Sequence, residues 1–307
     1  MAEPRTSPVL AIILVVIVLV AGVGGIAYLY FYENHKSPVS SGLIVQVGDN
    51  VTVNYIGLFA QGPQQGRVFD TSEYSVALNN ASWPKALGYS PRGAESNYTP
   101  LGVHVGPNVP SGGYTLGGQT FGSVVPGFWQ GLVGLPGNRT HYITVPPALG
   151  YSFVNASCYV TRELTTTFPV LVTVTPGQFA GLFPNVSATA GTVFTDPLYG
   201  WSDAILSTNS SSVTYENLPT IGATSAPNGW AVLVTNITAS TITLVSQLSP
   251  SQAGLVLGHG SGTFCGSSTF IVSQVNLAAG TYVEDYNQEV SGQTLIFIVS
   301  VVDIYPA

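Results

Sequence analysis

The most constraining feature of the sequence is the stretch from Val124 to Tyr151, VVPGFWQGLVGLPGNRTHYITVPPALGY. Pro126 stands where a helix can begin, because its fixed φ and missing N–H donor do no harm in a first helical turn. Phe128 would then project from that turn towards a neighbouring sheet. The run from His141 to Val145 predicts a strand, and a Pro-Pro turn follows it. The stretch therefore predicts a short helix beside a β-sheet.

Two other segments predict strands. VTVNYIGLF, from Val51 to Phe59, alternates apolar and polar residues and is rich in β-branched and aromatic types, which favours a β-strand. The segment from Gly62 to Gly66 makes a turn, and GRVFD, from Gly66 to Asp70, begins the return strand. GQTLIFIVSVVDIY, from Gly292 to Tyr305, is a long β-branched run typical of a central strand.

These segments resemble the FKBP-type peptidyl-prolyl isomerases. VVPGF, from Val124 to Phe128, matches the V-[IV]-x-G-[WF] run of that family, and GRVFD matches its G-[KR]-x-F-D run. EDYNQEVSGQTLIF, from Glu284 to Phe297, resembles the D-[FY]-N-x-x-[LV]-[AS]-G-x-T-L-x-F signature of the SlyD-like and archaeal long-type branch. The resemblance covers residues 42–152 and 284–307 and leaves residues 153–283 unmatched.

The resemblance implies an α+β fold: an antiparallel half-barrel sheet with a short helix, formed by residues 42–152 and 284–307. Residues 153–283 would then be a mainly β inserted domain in the flap, where that branch carries a substrate-binding chaperone domain. One N-terminal transmembrane helix would complete the chain.

The resemblance also implies a pocket for a proline ring. Its catalytic residues would be Asp70, Tyr151, Phe128 and Tyr55, and its substrate-binding residues Phe69, Val124, Val125 and Phe297. The family tyrosine that Tyr151 matches donates a hydrogen bond to a substrate carbonyl. The family aspartate that Asp70 matches orients its neighbours without taking a proton. No metal and no cofactor are implied, and the four histidines show no metal-ligand spacing.

Several alternatives remain open in this pocket. Tyr55 could be only a packed core residue, and a shift of one position would exchange Phe128 for Trp129, although the spacing downstream favours Phe128. The family's strand ending in Leu-Gly has two possible matches, PLGVHVG at residues 100–106 and GYTLGG at residues 113–118. Both lie in a region rich in Gly, Pro, Asn and Ser, which predicts long loops at the pocket rim.

The inserted segment predicts three related hairpins. They cover residues 204–222, 231–254 and 270–292, and each consists of a strand, a polar turn, a second strand and a closing glycine. VTPGQFAGLF, from Val174 to Phe183, predicts one short helix. The functional interpretation is a platform that binds unfolded clients through exposed apolar strand faces; the alternative is a rigid spacer or an adhesion module.

The N-terminal region predicts a membrane anchor. Residues 9–32 form a run of 24 residues without charge, where a bilayer-spanning helix needs about 20. A cleaved signal peptide is the competing interpretation, but its apolar region would be shorter, and the run ends in an aromatic cluster suited to a membrane interface. Residues 1–8 would be a tail and residues 33–41 a linker.

Composition places the rest of the chain outside the cytoplasm. Seven Lys and Arg against 14 Asp and Glu cannot form the basic stripe that nucleic-acid binding requires. Two cysteines, Cys158 and Cys265, permit one disulfide in an oxidising compartment, with lone buried thiols as the alternative. Eight Asn-x-Ser/Thr acceptors lie beyond residue 32, at Asn50, Asn80, Asn97, Asn138, Asn155, Asn185, Asn209 and Asn236.

The sequence thus predicts a single-pass, membrane-anchored, extracytoplasmic peptidyl-prolyl cis/trans isomerase with an inserted client-binding domain. Its partners would be proline-containing peptides, unfolded proteins and the membrane, and not nucleic acid. The alternatives are a catalytically silent FKBP-like peptide-binding protein and a structural cell-surface protein.

Overall fold

A computed structural model of the chain describes residues 42–137 and 139–307. The predicted tail, membrane helix and linker, residues 1–8, 9–32 and 33–41, lie outside the described residues. Within those described ranges, no helix is both long enough and apolar enough to cross a membrane.

The described residues fold mainly into antiparallel β-sheets with a few short helices. The strands are β1 Asn50–Phe59, β2 Val68–Thr71, β3 Leu101–His104, β4 Tyr114–Leu116, β5 Gln119–Phe121, β6 Thr140–Val145, β7 Tyr159–Glu163, β8 Thr165–Pro169, β9 Leu171–Val174, β10 Val193–Thr195, β11 Ser202–Thr208, β12 Val213–Leu218, β13 Thr224–Ser225, β14 Val232–Ile237, β15 Thr241–Ser246, β16 Leu257–Phe264, β17 Ser267–Asn276, β18 Thr281–Asp285 and β19 Leu295–Tyr305. The α-helices are α1 Tyr74–Leu78, α2 Pro126–Leu132 and α3 Pro176–Leu182. Single 3₁₀ turns occur at Glu95–Asn97, Pro147–Leu149, Ala156–Cys158 and Pro250–Gln252.

The chain divides into two compact units. We call residues 42–153 with 290–307 the frame unit and residues 154–289 the inserted unit. The predicted boundary between residues 283 and 284 cuts through β18, whose residues pair with β17 and β7 inside the inserted unit. The frame therefore resumes at Val290, six residues later than the sequence predicts.

The frame unit is built on one antiparallel sheet in the order β2-β1-β19-β6. β3 pairs with the first residues of β1 and β2 with the last, so both lie along the same edge of β1. Of the two Leu-Gly segments, residues 100–106 join this sheet through β3, whereas residues 113–118 contribute β4 to a separate two-stranded sheet with β5. Helix α2 packs on β6.

Both faces of β1 are covered. Its apolar residues divide between one cluster that contains Phe128 of α2 and a second that contains Val76 of α1. Its polar residues are buried as well, and they find side-chain partners: Thr52 bonds Asp303 at 3.4 Å, and Asn50 lies 3.0 Å from Nδ1 of His104. Asn50 is only 8% exposed, so of the eight predicted glycan acceptors this one is inaccessible in the folded chain.

The inserted unit contains three four-stranded sheets with the same plan. Each consists of three consecutive strands and one earlier strand that pairs with the last of the three: β10-β11-β12 with β9, β13-β14-β15 with β8, and β16-β17-β18 with β7. The chain makes β7, β8 and β9 in this order and completes their sheets in the reverse order. Each sheet is consequently inserted in sequence within the next.

The three predicted hairpins are the second and third strands of these sheets, and they share two irregularities. Each has a register shift at the same place, after Ile205 in β11, Val234 in β14 and Val272 in β17. In each, the carbonyl of that residue also accepts a hydrogen bond of 2.7–2.8 Å from a preceding turn glycine, Gly191, Gly222 or Gly254. The common bulge and common turn support a repeat of one structural unit.

These turns need glycine because their third residue has a positive φ, between 73° and 87° in the three copies. A fourth turn of the same kind stands where the chain re-enters the frame unit. There Gly292 has a φ of 71°, and its N–H donates to the carbonyl of Tyr151 at 2.7 Å. A glycine turn therefore ends every inserted segment.

The two cysteines form a disulfide between Cys158, just before β7, and Cys265, in the turn between β16 and β17. The bond spans 107 residues of sequence and encloses the two inner sheets. Of the two states left open by the sequence, the structure has the disulfide.

The innermost sheet carries an unusual acid on its core face. Asp203 of β11 is fully buried, next to Ile205 in the alternation of that strand. Neither of its carboxylate oxygens makes a hydrogen bond of normal geometry within the described part of the chain, although the Trp201 indole N–H faces it. Burial, reinforced by the charge of Asp196, raises the pKa of Asp203 to about 7.

Replacing Asp203 by Asn should therefore remove a pH dependence of stability. In the unfolded chain this carboxyl has its ordinary pKa of about 3.8, while the folded chain holds the proton to about pH 7. Stability therefore falls as pH rises between these values. The loss reaches about 4 kcal/mol above pH 7. Amide hydrogen exchange at Ile205 and Val213, measured at pH 4, 5.5 and 7.5 with correction for intrinsic rates, should show this slope in the wild-type chain and not in Asp203→Asn. Glu163→Gln, on an exposed residue of β7, is the control, and equal slopes in all three chains would contradict the assignment.

Candidate functional site

Aromatic rings gather on one face of the frame sheet, above its central strand. Phe128, in the first turn of α2, meets Phe297 of β19 at 4.7 Å between ring centroids in an edge-to-face arrangement. Phe69 of β2 meets Phe297 in the same way at 5.6 Å, and Phe59 of β1 lies 5.5 Å from Phe69. Phe128 is buried and Trp129 only half-buried, so Phe128 is the residue that faces the sheet.

The wall formed by Phe69 depends on a glycine. A Cβ atom on Gly57 of β1 would lie 2.5 Å from the tip of the Phe69 ring. Because residue 57 has no side chain, the ring of Phe69 can lie across β1 and reach Phe297. The sequence NYIGLF thus forms a strand and also leaves room for the Phe69 ring.

A polar network lies beside these rings. Tyr55 is 5% exposed, and its hydroxyl donates to Oδ2 of Asp70 at 2.5 Å. Arg92 donates from one terminal nitrogen to Oδ1 of Asp70 at 2.8 Å and to the Tyr55 hydroxyl at 2.6 Å. The Thr71 N–H also donates to Oδ1 of Asp70. Asp70 is therefore a fixed acceptor, held by three different donors.

Tyr55 belongs both to the core and to this network. Its ring lies 6.3 Å from those of Phe128 and Phe297, and its hydroxyl is committed to the polar side. Burial, followed by the charge of Asp70 and the hydrogen bond to it, raises the pKa of Tyr55. The hydroxyl consequently stays protonated and remains a donor at any physiological pH.

Arg92 is the member of the network that the sequence did not indicate. It lies in the loop between α1 and β3, and its backbone N–H bonds the hydroxyl of Tyr98 at 2.8 Å. The guanidinium also lies over the rings of Tyr55 and Tyr98 at about 6 Å. The sequence distinguishes Arg92 only because Lys and Arg are rare in this chain, with seven in 307 residues.

Two donors among the residues of the predicted pocket are unused. Within residues 42–137 and 139–307, neither the N–H of Val125 nor the hydroxyl of Tyr151 has a hydrogen-bond partner. Val125 precedes α2 and, with Val124, packs against the aromatic cluster. Tyr151 is 38% exposed and lies outside that cluster, yet its pKa is raised by burial and then by the charge of Asp70.

The structure thus brings together Tyr55, Phe69, Asp70, Phe128 and Phe297, with Val124 and Val125 at the edge. Tyr151 joins them only through the reach of the Asp70 charge. Phe59 and Arg92 are additional to the predicted set. The described residues include no group of three or more His, Cys, Asp or Glu side chains that could hold a metal ion.

Replacing Tyr55 by Phe should destabilise the frame unit modestly. The change removes the donor to Oδ2 of Asp70 and the acceptor of Arg92, but those two residues still bond each other. We expect the free energy of unfolding to fall by about 1 to 2 kcal/mol, as for loss of a hydrogen bond to a charged group. Urea unfolding, followed by amide signals of β19, measures this. Tyr74→Phe, which alters a hydroxyl without a hydrogen-bond partner among the described residues, is the matched control, and an equal effect of both changes would show that the network contributes nothing.

Comparisons with protein-family models and with curated proteins find no match to this chain.

Proposed function

We propose that the frame unit is an FKBP-type peptidyl-prolyl cis/trans isomerase, in a membrane-anchored protein whose inserted unit binds unfolded clients outside the cytoplasm. The observation that carries the proposal is the aromatic floor of Phe128 and Phe297 beside the Tyr55–Asp70–Arg92 network. Phe128, Phe297, Tyr55 and Asp70 are positions to which the sequence resemblance assigns the proline pocket, and Arg92 is added by the folded chain.

The proposed chemistry needs no nucleophile and no proton transfer. Rotation about an X-Pro bond is slow because amide resonance imposes a barrier of about 18 to 20 kcal/mol. That resonance separates charge between nitrogen and oxygen, so an apolar environment weakens it. The rings of Phe69, Phe128 and Phe297 would enclose the proline and exclude water from its amide.

The unused donors would favour the twisted amide. In that conformer the carbonyl loses its conjugation with nitrogen and turns out of plane. The N–H of Val125 and the hydroxyl of Tyr151 are free to bind the substrate in this geometry. Donors that bind the transition state better than either planar form accelerate exchange in both directions.

The location of the protein rests on two observations. The uncharged run at residues 9–32 is the proposed anchor. The disulfide between Cys158 and Cys265 suits an oxidising compartment, since such bonds are rare in the cytosol. Together they favour a chain whose bulk lies outside the cytoplasm.

A silent peptide-binding protein is the second candidate. The observation in its favour is that Asp70 already accepts hydrogen bonds from Tyr55, Thr71 and Arg92. This carboxylate therefore has little freedom to reorient towards the amide of a substrate as that amide twists. Such a protein would bind the same peptides without accelerating their isomerisation.

Exchange spectroscopy on a short peptide with one proline separates the candidates. The chain from Ser37 to Ala307 is added at catalytic concentration, and its own amide signals near Phe128 and Phe297 are followed at higher peptide concentration. Faster exchange supports the isomerase. Saturable shifts without faster exchange support the silent binder. If neither shifts nor faster exchange occur at any pH from acidic to neutral, both candidates are rejected.

A further inference from the structure

The inserted unit contains a cleft that the proposed isomerase does not use. Its volume is about 670 Å³, within the range of about 300 to 1,000 Å³ usual for small-molecule sites. Its walls come from β7, β16 and β18 of the outermost inserted sheet, with Asn228 and Tyr286 at the sides. It is therefore formed mainly by one sheet, with Asn228 contributed by the loop between β13 and β14 of the neighbouring sheet.

A buried acid lies at the base of this cleft. Glu284 is 5% exposed, and the residues two positions before and after it, Tyr282 and Tyr286, are also buried. Its carboxylate accepts from Nε of Arg162 at 3.0 Å, from Tyr286 at 3.1 Å and from Tyr282 at 3.3 Å. A buried ion pair adds little to stability compared with apolar packing. The network fixes Nε of Arg162 and the two tyrosine hydroxyls in the cleft.

The charges in the cleft cancel. Arg162 and Glu284 form one ion pair, so the site has no excess of either sign with which to attract an ion. Side-chain donors and acceptors are nevertheless available: within the described ranges, the amide of Asn228 and the imidazole of His259 have no hydrogen-bond partner. Arg162 has five N–H donors, and its side chain is 53% exposed. These features fit a ligand that is uncharged and rich in hydroxyl groups.

An aromatic ring stands at the rim. Phe264 is 42% exposed, and its ring lies 5.1 Å from that of Tyr286. An exposed aromatic face beside unpaired polar groups suits a molecule with one apolar face and polar edges. A pyranose ring has this form, because its axial C–H bonds make an apolar face and its hydroxyls project from the edge.

The rim is held in place covalently. Cys265 directly follows Phe264 and is bonded to Cys158, whose carbonyl accepts the N–H of Tyr286 at 3.0 Å. The disulfide thus ties the β16–β17 turn, which carries Phe264, to the start of β7, which carries Arg162. A cleft with fixed walls loses less entropy when a ligand binds.

We propose that this cleft binds a neutral pyranose unit, with Phe264 against the face of the sugar and Asn228, His259 and Arg162 on its hydroxyls. This is a second binding function, independent of the isomerase. It makes the inserted unit a carbohydrate-recognition module.

The test is an NMR titration of the full-length chain in detergent with methyl glycosides of glucose, mannose, galactose and N-acetylglucosamine, and with methyl glucuronide. At least one neutral glycoside should give saturable shifts of the Tyr282 and Tyr286 signals, with a Kd in the millimolar range. Phe264→Ala and Asn228→Ala, both at the rim, should each weaken binding by about tenfold. Leu277→Ala, at an exposed apolar position outside the cleft, should leave binding unchanged.

Two results would show that the cleft does not bind a pyranose in this way: no saturable shift up to about 100 mM glycoside, or unchanged affinity in both Phe264→Ala and Asn228→Ala. A third result would also overturn the proposal. If glucuronide bound about tenfold more tightly than the glucoside, the cleft would be an anion site. Competition by a glycoprotein, before and after enzymatic removal of its glycans, then distinguishes a protein-borne sugar from a free saccharide.

Discussion

Replacing Phe69 and Asp70 together by alanine is expected to return proline exchange to the rate of the free peptide. Selective stabilisation of about 4 to 7 kcal/mol gives an acceleration of about 10³ to 10⁵, and the double change should remove nearly all of it. The ring of Phe69 meets that of Phe297, so its loss should admit water to the proposed pocket. Asp70 holds Tyr55 and Arg92 in place, so its loss also frees the polar side.

The measurement is exchange spectroscopy at one peptide concentration, with the fold checked by the amide signals of Val299 and Val301 in β19. Leu78→Ala, at an exposed position of α1, is the control and should keep wild-type activity. Asp70→Asn preserves the size of the side chain and should cause a smaller loss of about ten- to a hundredfold. A folded double variant that retains more than about a tenth of the wild-type rate would contradict the assignment of the pocket.

Replacing both cysteines by serine should cost the inserted unit about 4 to 5 kcal/mol of stability. The bond between Cys158 and Cys265 closes a segment of 107 residues, and a loop of this length restricts the unfolded chain by about that amount in the chain-entropy account. Most of the inserted unit lies inside the loop, so all three of its sheets benefit.

Amide hydrogen exchange measures this loss unit by unit. Protection of Val272 and Ile242 in the inserted unit should fall, while protection of Val53 and Val299 in the frame unit should not. Cys265 is exposed, so a reducing agent should reproduce the effect in the wild-type chain and have none in the double serine variant. A loss below about 1 kcal/mol would show that native packing, and not the cross-link, holds the sheets together.

Local patterns predicted the local elements well. The helix at Pro126, the strand that follows it, the first hairpin and the three hairpins of the insertion all depend on turn chemistry and side-chain periodicity over short windows. These elements are present, with boundaries that differ by a few residues at most. The pairing of β7, β8 and β9 with later strands was beyond prediction, because their partners β18, β15 and β12 lie far outside the short window from which a local pattern is read.

Two details of the frame show the same limit. Apolar and polar residues alternate along β1, yet all ten residues of the strand are buried, and the polar residue Asn50 lies against His104 of β3. Arg92 completes the network around Asp70 from a loop without periodicity, so only the folded chain shows where its side chain lies. For the candidate site, sequence motifs located the aromatic rings and the carboxylate and missed the cation that neutralises it.

The nested order of the sheets determines the order in which a growing polypeptide can complete them. The innermost sheet has all its strands once residue 218 has been synthesised, the next at residue 246 and the outermost inserted sheet at residue 285. The frame sheet comes last, because its central strand β19 begins only at Leu295. Phe297, the floor of the proposed pocket, lies on that strand. A nascent or truncated chain therefore has all the strands of the insertion before it has the proposed proline pocket, which cannot form without β19.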